Sequence, residues 1–488
     1  MVIESLKYKI LQQFGFAPTQ EQGQALDTFV SFLTDCDPQA VMILRGSAGT
    51  GKTSLSGAIV RTLLQIRQKV MLLAPTGRAA KVFSLGSGAP AYTIHRRIYR
   101  EKAFAGVDGQ FGLNDNLYTD TLFMVDEASM IANMGLGGTT FGSGCLLDDL
   151  VKFVYQGHND RLLLIGDKAQ LPPVGEEESP ALSASVMEGY GLKVYECDLN
   201  EVLRQSQSSG ILYNATLIRQ MITHDAVTGL PLIRFKGFAD IVMMPGAELV
   251  ESLGDSYHHV GMDETMVITR SNKRANIYNN GIRNMVLDRE EELSSGDMLM
   301  IVKNNYFWTE KEKKESGEGS AGAVPAFLAN GDRAKVLRVS NYIELYGFRF
   351  ATLLLQLPDY DDYEMQVTGM LDTLQSEAPA LTHEQQEELF RQVEEDYQHF
   401  VPLKADRMKS IRQDAYFNAL QIKYAYAVTC HKAQGGQWAH VYVDQGYMTD
   451  DMLTPDYIHW LYTAFTRATD KLFLVNWPKE QTCEPTDL

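Results

Sequence analysis

Apolar positions along the chain fall into two rhythms. Ala40-Val-Met-Ile-Leu44, Thr121-Leu-Phe-Met-Val125 and Arg161-Leu-Leu-Leu-Ile165 are short, nearly unbroken apolar runs. Such runs predict strands buried on both faces of a parallel sheet. After the first, Leu55, Ile59, Leu63 and Ile66 recur at helical spacing, which predicts an amphipathic helix across residues 54–68. Strands alternating with helices predict an α/β fold. From about 291 to 414 the pattern changes. Asp297–Val302, Arg333–Val339, Tyr342–Tyr346 and Phe350–Leu355 read as strands with Asn330-Gly331 as a turn, and a small β-barrel fits them. Within this stretch Glu310–Gly322 reads as a charged flexible loop. Thr382 and Gln385 form a capping-box start to a helix whose Leu389, Val393, Tyr397 and Phe400 share one face. Between Glu384 and Asp396 that helix carries six acids and Arg391, so its outer face is either solvated or a docking surface for a protein. Phe104–Leu113, with Asp108-Gly109 flanked by short apolar residues, reads as a hairpin. Gly135–Gly144 is too glycine-rich to hold one shape and reads as a mobile loop of unassigned role.

Composition narrows the class. With 488 residues, 45% apolar and 22% charged, the chain is an ordinary globular protein of two to four domains. A net charge of −18 argues against coating nucleic acid by bulk charge, yet leaves room for a local basic groove. Arg96, Arg97, Arg100 and Lys102 form such a local reversal, whose plainer reading is a solvated helix face. Five scattered cysteines without a C-x-x-C pair argue against a disulfide framework or zinc site and favour a reducing, cytoplasmic setting. The N-terminal residues lack the apolar stretch of a signal peptide, and no apolar run is long enough for a bilayer.

Candidate chemistry sits where the strand runs end. Gly46-Ser-Ala-Gly-Thr-Gly-Lys-Thr53 fits G-x-x-x-x-G-K-[ST] between a strand and a helix, the order a phosphate-binding loop requires. Gly46, Ser47, Ala48, Gly49, Thr50 and Gly51 would turn backbone N–H groups on the phosphates, Lys52 would reach the β- and γ-phosphates, and Thr53 would bind Mg²⁺. The second run ends in Asp126-Glu127, placed to hold the Mg²⁺ shell and to deprotonate an attacking water. The third enters Gly166–Val174, stiffened by Pro172 and Pro173, where Gln170 could hydrogen-bond both the γ-phosphate and that water.

These three segments resemble motifs I, II and III of the superfamily 1 helicases, and later segments follow in order. Pro18–Gln22 resembles the Q motif, with Gln22 as its adenine-reading glutamine. Ala74–Ala80 resembles motif Ia and Thr93-Ile94-His95 the segment after it. Leu199–Arg204 resembles motif IV, Tyr426–Gly435 motif V and Tyr462–Ala468 motif VI. The wording is closest to the RecD-like and Dda-like branch, superfamily 1B, whose members travel 5′→3′ on single-stranded DNA. Ala433 and Gln437 depart from the usual motif V wording, which puts side-chain contacts to DNA there in doubt.

The resemblance implies two RecA-like P-loop NTPase domains with a small hairpin insertion and an SH3-like β-barrel insertion. The first spans 1–200, with the hairpin at about 96–121; the second spans 201–290 plus 415–488; the inserted domain spans 291–414. ATP would lie between the RecA-like domains, with Arg204 and Arg467 stabilising charge on the transferring phosphate and Gly435 completing the nucleotide contacts. Single-stranded DNA and its junctions with duplex would meet Thr76, Arg78, Thr93, His95, Arg270, Thr429 and His431. Phe104 or Phe111 would be the apolar tip of a strand-splitting pin, or would pack the hairpin onto the body. A replication or repair protein could dock on the inserted domain; the chain itself is expected to be a monomer. Two other readings stay open: a 3′→5′ UvrD-like helicase, and a nucleic-acid-stimulated ATPase that remodels strands without unwinding.

Overall fold

The computed structural model describes residues 2–105, 108–135, 142–201, 208–223, 229–316, 324–325, 327–449 and 452–483. In chain order the strands are β1 (Ala40–Gly46), β2 (Lys69–Ala74), β3 (Ala91–Thr93), β4 (Tyr99–Ala105), β5 (Asp108–Leu113) and β6 (Thr121–Val125). Next come β7 (Arg161–Gly166), β8 (Lys193–Leu199), β9 (Ile241–Met244), β10 (Thr265–Thr269), β11 (Met298–Ile301) and β12 (Arg333–Leu345). The last are β13 (Phe348–Leu357), β14 (Tyr363–Met370), β15 (Leu420–Tyr424), β16 (Ala427–Thr429), β17 (Trp438–Asp444) and β18 (Ala468–Val475). The chain divides into two compact units, residues 1–246 with 433–488, and residues 247–432.

In the first unit a six-stranded sheet runs β3-β2-β6-β7-β1-β8, with every neighbouring pair parallel. The apolar runs become its interior strands, buried along their whole length. Alternation along β1 feeds two cores, because successive side chains point to opposite faces. Met42 and Leu44 pack with Leu55, Ile59 and Leu63 of the helix Lys52–Gln65. Val41 and Ile43 pack on the other face with Leu147, Leu150 and Phe153 of the helix Leu146–Gln156. Parallel order of this kind points the carboxyl ends of β1, β6 and β7 the same way, which is where α/β sheets bind ligands. The same unit holds a parallel trio in the order β17-β18-β9, with Tyr442 stacked on Phe473 at 4.3 Å. The helix Pro455–Phe465 is capped by Thr454 and buried along most of its length.

The second unit contains the parallel pair β10 and β16 and a closed barrel, β11-β12-β13-β14-β15. The expected small barrel is thus present, and its fifth strand comes from Leu420–Tyr424, beyond residue 414. Three local expectations change. The two strands expected at 333–339 and 342–346 are one strand, β12, with register shifts after Val336 and Ser340 absorbing the irregular pattern. Part of the stretch read as a loop, Glu310–Gly322, is helical: the helix Phe307–Ser316 is anchored by Trp308, whose indole N–H donates to Asn418 O at 2.9 Å. Phe400 is 79% exposed, because the capped helix ends at Gln398 and only Leu389 and Val393 of the expected stripe are buried.

The barrel is tied to its unit through Asp297, which is fully buried. Its carboxylate accepts from Arg283 Nε and Nη2, both at 3.0 Å, from Arg289 Nη1 at 2.6 Å and from Tyr426 Oη at 2.7 Å. Burial pushes this carboxyl up, but the hydrogen bonds from Arg283, Ser294 and Tyr426 outweigh it and hold the group below the usual range. Removing the acid would leave two partly desolvated guanidinium groups facing each other. Asp297→Ala is therefore expected to cost about 3–5 kcal/mol, read as a lower urea midpoint for the second unit. A wild-type midpoint would rule out this anchor.

Candidate functional site

β1 ends at Gly46, and the chain turns through Ser47–Gly51 into the helix Lys52–Gln65. Gly49 and Gly51 have φ of +77° and +79°, a region that residues with a Cβ resist. A Cβ on Gly46 would lie 2.8 Å from Lys52 Cγ and 2.9 Å from Thr50 Oγ1, so glycine is needed there for close packing. Thr50 Oγ1 donates to Ser47 O at 2.8 Å. Lys52 Nζ donates to Ser47 O at 2.8 Å and also to Gly46 O. The result is a narrow cradle with a cation folded over its rim, and its donor set suits a polyphosphate. Thr53 lies in the helix's first turn with an exposed side chain. Gln22 is buried beneath the loop: its Nε2 donates to Thr50 O at 2.9 Å and its Oε1 accepts from Thr19 N–H at 3.0 Å. In this state it props the loop instead of presenting an edge to a base.

Asp126 and Glu127 follow β6. Asp126 N–H donates to Leu73 O at 3.0 Å, and Asp126 Oδ1 accepts from Glu127 N–H at 2.9 Å. Glu127 sits at φ +52°, a conformation a β-carbon disfavours and one that recurs at functional turns. Burial first, and the Glu127 charge second, push the Asp126 carboxyl up to about 7, against the pull of the Glu127 amide and of Lys52. Carboxylate and hydroxyl oxygens such as those of Asp126, Glu127 and Thr53 are the hard donors that Mg²⁺ takes. Gln170 is 7% exposed and its buried Oε1 has no hydrogen-bond partner among the described residues, so it can still accept from a ligand or water.

Two side chains passed over in the pattern reading touch the loop. Tyr462, on the helix Pro455–Phe465, accepts from Ala48 N–H at 2.9 Å and donates to Asp167 Oδ2 at 2.7 Å. Burial, with the neighbouring Asp167 charge, pushes its phenol well above the usual range, so it stays neutral. Arg219, on the helix Gly210–Thr223, donates to Ser47 Oγ. Tyr462 stands inside the motif VI wording and could have been singled out. Arg219 had no signal beyond helical spacing.

Of the two expected arginines, one is described. Arg204 lies outside the described residues. Arg467 is 2% exposed, and its guanidinium donates to Thr463 O, Gly436 O and Thr466 Oγ1 at 3.1–3.2 Å, so here it caps its own helix. Gly435, at φ +74°, approaches the start of another helix so closely that a Cβ would lie 3.0 Å from Ala79 Cβ and 3.1 Å from Thr76 Oγ1.

Candidate DNA contacts divide between the units. In the first, Thr76 and Thr93 cap the helices Gly77–Ser87 and Ile94–Ile98. Arg78 donates to Gln437 O at 2.7 Å and lies 4.5 Å over the Trp438 ring. Burial lowers His95 to about 4, so at neutral pH it offers a hydrogen bond and no charge. Of the basic cluster, Arg96 and Arg97 cover the Tyr92 ring at 5.0 and 3.9 Å, and Arg100 pairs with Asp115 at 3.1 Å. The hairpin β4–β5 pairs Ala105 with Asp108. Asp108-Gly109 therefore belongs to a strand, and residues 106–107 lie outside the described residues. The Phe104 side chain is likewise outside them, and Phe111 packs against the sheet core. Residues 136–141 of the glycine-rich segment are also outside them; Gly142 N–H donates to Phe111 O at 2.7 Å. In the second unit Arg270 and Thr429 follow or end β10 and β16, and His431 is exposed. Thr429 shares a small polar pocket with Asn272, Asn276, Lys423 and Lys432, and burial lowers Lys432 to about 8.

Among the described residues no helix is long and apolar enough to cross a membrane. The sheet, with the cradle at the carboxyl end of β1 and the acid pair at that of β6, one strand apart, defines a P-loop NTPase of the RecA-like kind.

Residues 17–229 match the AAA domain family model and residues 424–475 the UvrD-like helicase C-terminal domain. The ATP-dependent RecD2 DNA helicase of Deinococcus radiodurans is 30% identical over 157 residues, 32% of this chain and 18% of that protein. Protein MJ1519 of Methanocaldococcus jannaschii is 33% identical over 168 residues, and the match spans 13% of that protein. Protein R530 of Acanthamoeba polyphaga mimivirus is 22% identical across 88% of this chain and 94% of its own length. The chain thus spans less than a fifth of two of these relatives. A Bacteroides Pif1 helicase crystallised with ADP-AlF3 and ssDNA aligns over 96% of this chain and 95% of its own, at 13% identity and a TM-score of 0.46. The chain is thus similar to RecD2 over 157 residues and to the UvrD-like helicase C-terminal domain over residues 424–475.

The raised Asp126 carboxyl gives a pH test of the acid pair. A folded-state value above the unfolded one of roughly 3.9 favours the folded, metal-free protein at low pH. That contribution is lost as pH rises through about 7. Asp126→Asn does not titrate, so without Mg²⁺ or nucleotide its melting temperature should gain on wild type as pH rises from 5 to 7 and level off above. A difference that stays constant with pH would remove the burial assigned to Asp126.

Proposed function

We propose that the protein is an ATP-dependent DNA helicase that moves 5′→3′ on single-stranded DNA and opens duplex at single-strand junctions. The observation that supports it most is the cradle of Gly46–Thr53, set beside Asp126-Glu127 and hydrogen-bonded by Tyr462 of the motif VI helix. Residues 1–200 and 201–290 with 415–488 would act as two RecA-like domains, with 291–414 as the inserted one.

Each residue has a defined task in hydrolysis. Lys52 would leave Ser47 O and Gly46 O for phosphate oxygens, a trade of neutral acceptors for charged ones. Gln170 would orient the attacking water through its free Oε1. Glu127 would take the water's proton as the new O–P bond forms and the bond to the β–γ bridging oxygen breaks, leaving ADP and phosphate. Mg²⁺, held by Thr53 and Asp126, would neutralise charge on the β- and γ-oxygens. Gln22 and Gly435 would border the nucleotide, and Arg204, together with Arg467 once it leaves Thr463 O and Gly436 O, would meet the developing charge. Thr76, Arg78, Thr93, His95, Arg270, Thr429 and His431 would line the track of a single strand, where backbone contacts set affinity and little sequence is read.

Lys52→Ala should abolish turnover; wild-type turnover would remove the loop from the mechanism. Glu127→Gln should still bind ATP yet hydrolyse it at least ~100-fold more slowly, and an unchanged rate would refute its role as base. Duplexes with a 5′ tail should open with ATP and Mg²⁺ while 3′-tailed ones do not. Opening only the 3′-tailed set would reverse the direction, and DNA-stimulated hydrolysis with neither opened would leave a strand-remodelling ATPase.

A further inference from the structure

We propose that Arg219 is a further phosphate-contacting residue of the nucleotide site, a cation that passes from Ser47 Oγ to the terminal phosphate of a bound triphosphate. The proposal rests on the ATPase reading of the loop and adds a residue that lies outside its motifs.

Arg219 comes to the loop on a firmly seated helix. Ile211, Ala215 and Ile218 of Gly210–Thr223 are 4%, 2% and 0% exposed, which fixes the helix's rotation. Asn214 locks it further, donating to Gly210 O at 2.8 Å and Arg234 O at 2.9 Å and accepting from Arg234 N–H at 2.9 Å. One step beyond Ile218, the Arg219 guanidinium donates to Ser47 Oγ and, at 3.4 Å, to Asn200 Oδ1. Both of these acceptors are neutral.

Ser47 is also where Lys52 rests, its Nζ donating to Ser47 O at 2.8 Å. Two cations from helices far apart in the chain therefore converge on a single loop residue. Like charges brought together repel unless an anion stands between them. A triphosphate's terminal oxygens would be such an anion, and charge-assisted hydrogen bonds to them are stronger than those to a hydroxyl. The next amide, Ala48 N–H, is held by the neutral Tyr462 hydroxyl, so this corner of the cradle is already occupied by exchangeable stand-ins. Arg467, by contrast, is turned onto its own helix and Gly436 O. Among the described residues Arg219 is the arginine recorded on the loop.

The plainer role for Arg219 is a brace for Ser47, and the experiment separates the two. Wild type, Arg219→Ala, Arg219→Lys and Lys52→Ala are compared for turnover, for affinity toward ADP and a non-hydrolysable ATP analogue, and for melting temperature. Arg219→Ala should lower kcat by ~100-fold or more. It should weaken the ATP analogue at least ~10-fold more than ADP, because only the former carries the terminal phosphate. Arg219→Lys should recover part of the analogue's affinity, since it keeps the charge and loses the planar fork. A wild-type kcat in Arg219→Ala, or equal weakening of both nucleotides with a lower melting temperature, would overturn the proposal. Failure of the loop reading looks different: Lys52→Ala would then turn over ATP like wild type, whereas an inactive Lys52→Ala beside an active Arg219→Ala sinks the role of Arg219 alone.

Discussion

A cradle made of backbone amides is intrinsically costly to hold open, because its N–H dipoles point at one another when no anion is present. Here four side chains hold the loop. Gln22 takes Thr50 O from below, Lys52 folds onto Ser47 O, Tyr462 takes Ala48 N–H and Arg219 takes Ser47 Oγ. Four helices thus share the work of keeping eight residues in shape. Preorganisation of this kind lets binding energy go into contacts with the ligand instead of into ordering the loop. The loop is thereby joined to the helices Gly210–Thr223 and Pro455–Phe465, which a phosphate that displaced Arg219 or Tyr462 would reach.

The acid pair carries the complementary strain. β6 is buried along its length and delivers Asp126 and Glu127 at its end with no choice of position. Burial raises one carboxyl, and the left-handed Glu127 backbone holds the other beside it. Neither feature favours the fold by itself, and both become useful once a cation arrives. Stability given up at the site is returned by the two cores either side of β1, where nearly every side chain is apolar and out of solvent.

The loop and the interior strands were legible because local geometry dictates residue type. Only glycine tolerates the φ values at Gly49 and Gly51, and only continuous apolar runs suit strands covered on both faces. What stayed hidden was set by distant partners. Arg219 is one arginine on a helix whose spacing shows only its buried side, and nothing local marks Ser47 as its acceptor. Arg467 was legible as a residue of interest but not in its present place, since helix-capping carbonyls compete for the same guanidinium. Phe400 shows the reverse error: helical spacing continued past Gln398, where the helix itself stops. The fused strand β12 was missed because its bulges interrupt the two-residue alternation by which strands are recognised.

The odd wording of motif V finds a physical role in the same unit. Arg78, in the first turn of a helix capped by Thr76, lies over the Trp438 ring and donates to Gln437 O. Gly435, two residues before Gln437, has room for no Cβ because Thr76 and Ala79 stand against it. The segment 435–438 is thus gripped by the start of the motif Ia helix through backbone and ring, with no need of a particular side chain at 437. That explains why Gln437 can replace the usual residue without loosening the joint. It also ties this segment to β17, whose first amide, Trp438 N–H, donates to Arg467 O. The helix that ends beside Arg467 carries Tyr462 to the phosphate loop. A displacement of Tyr462 would therefore act on a helix followed directly by Arg467, whose carbonyl accepts from Trp438 N–H. Coupling between two ligands requires such a shared element, provided each ligand binds its two positions unequally.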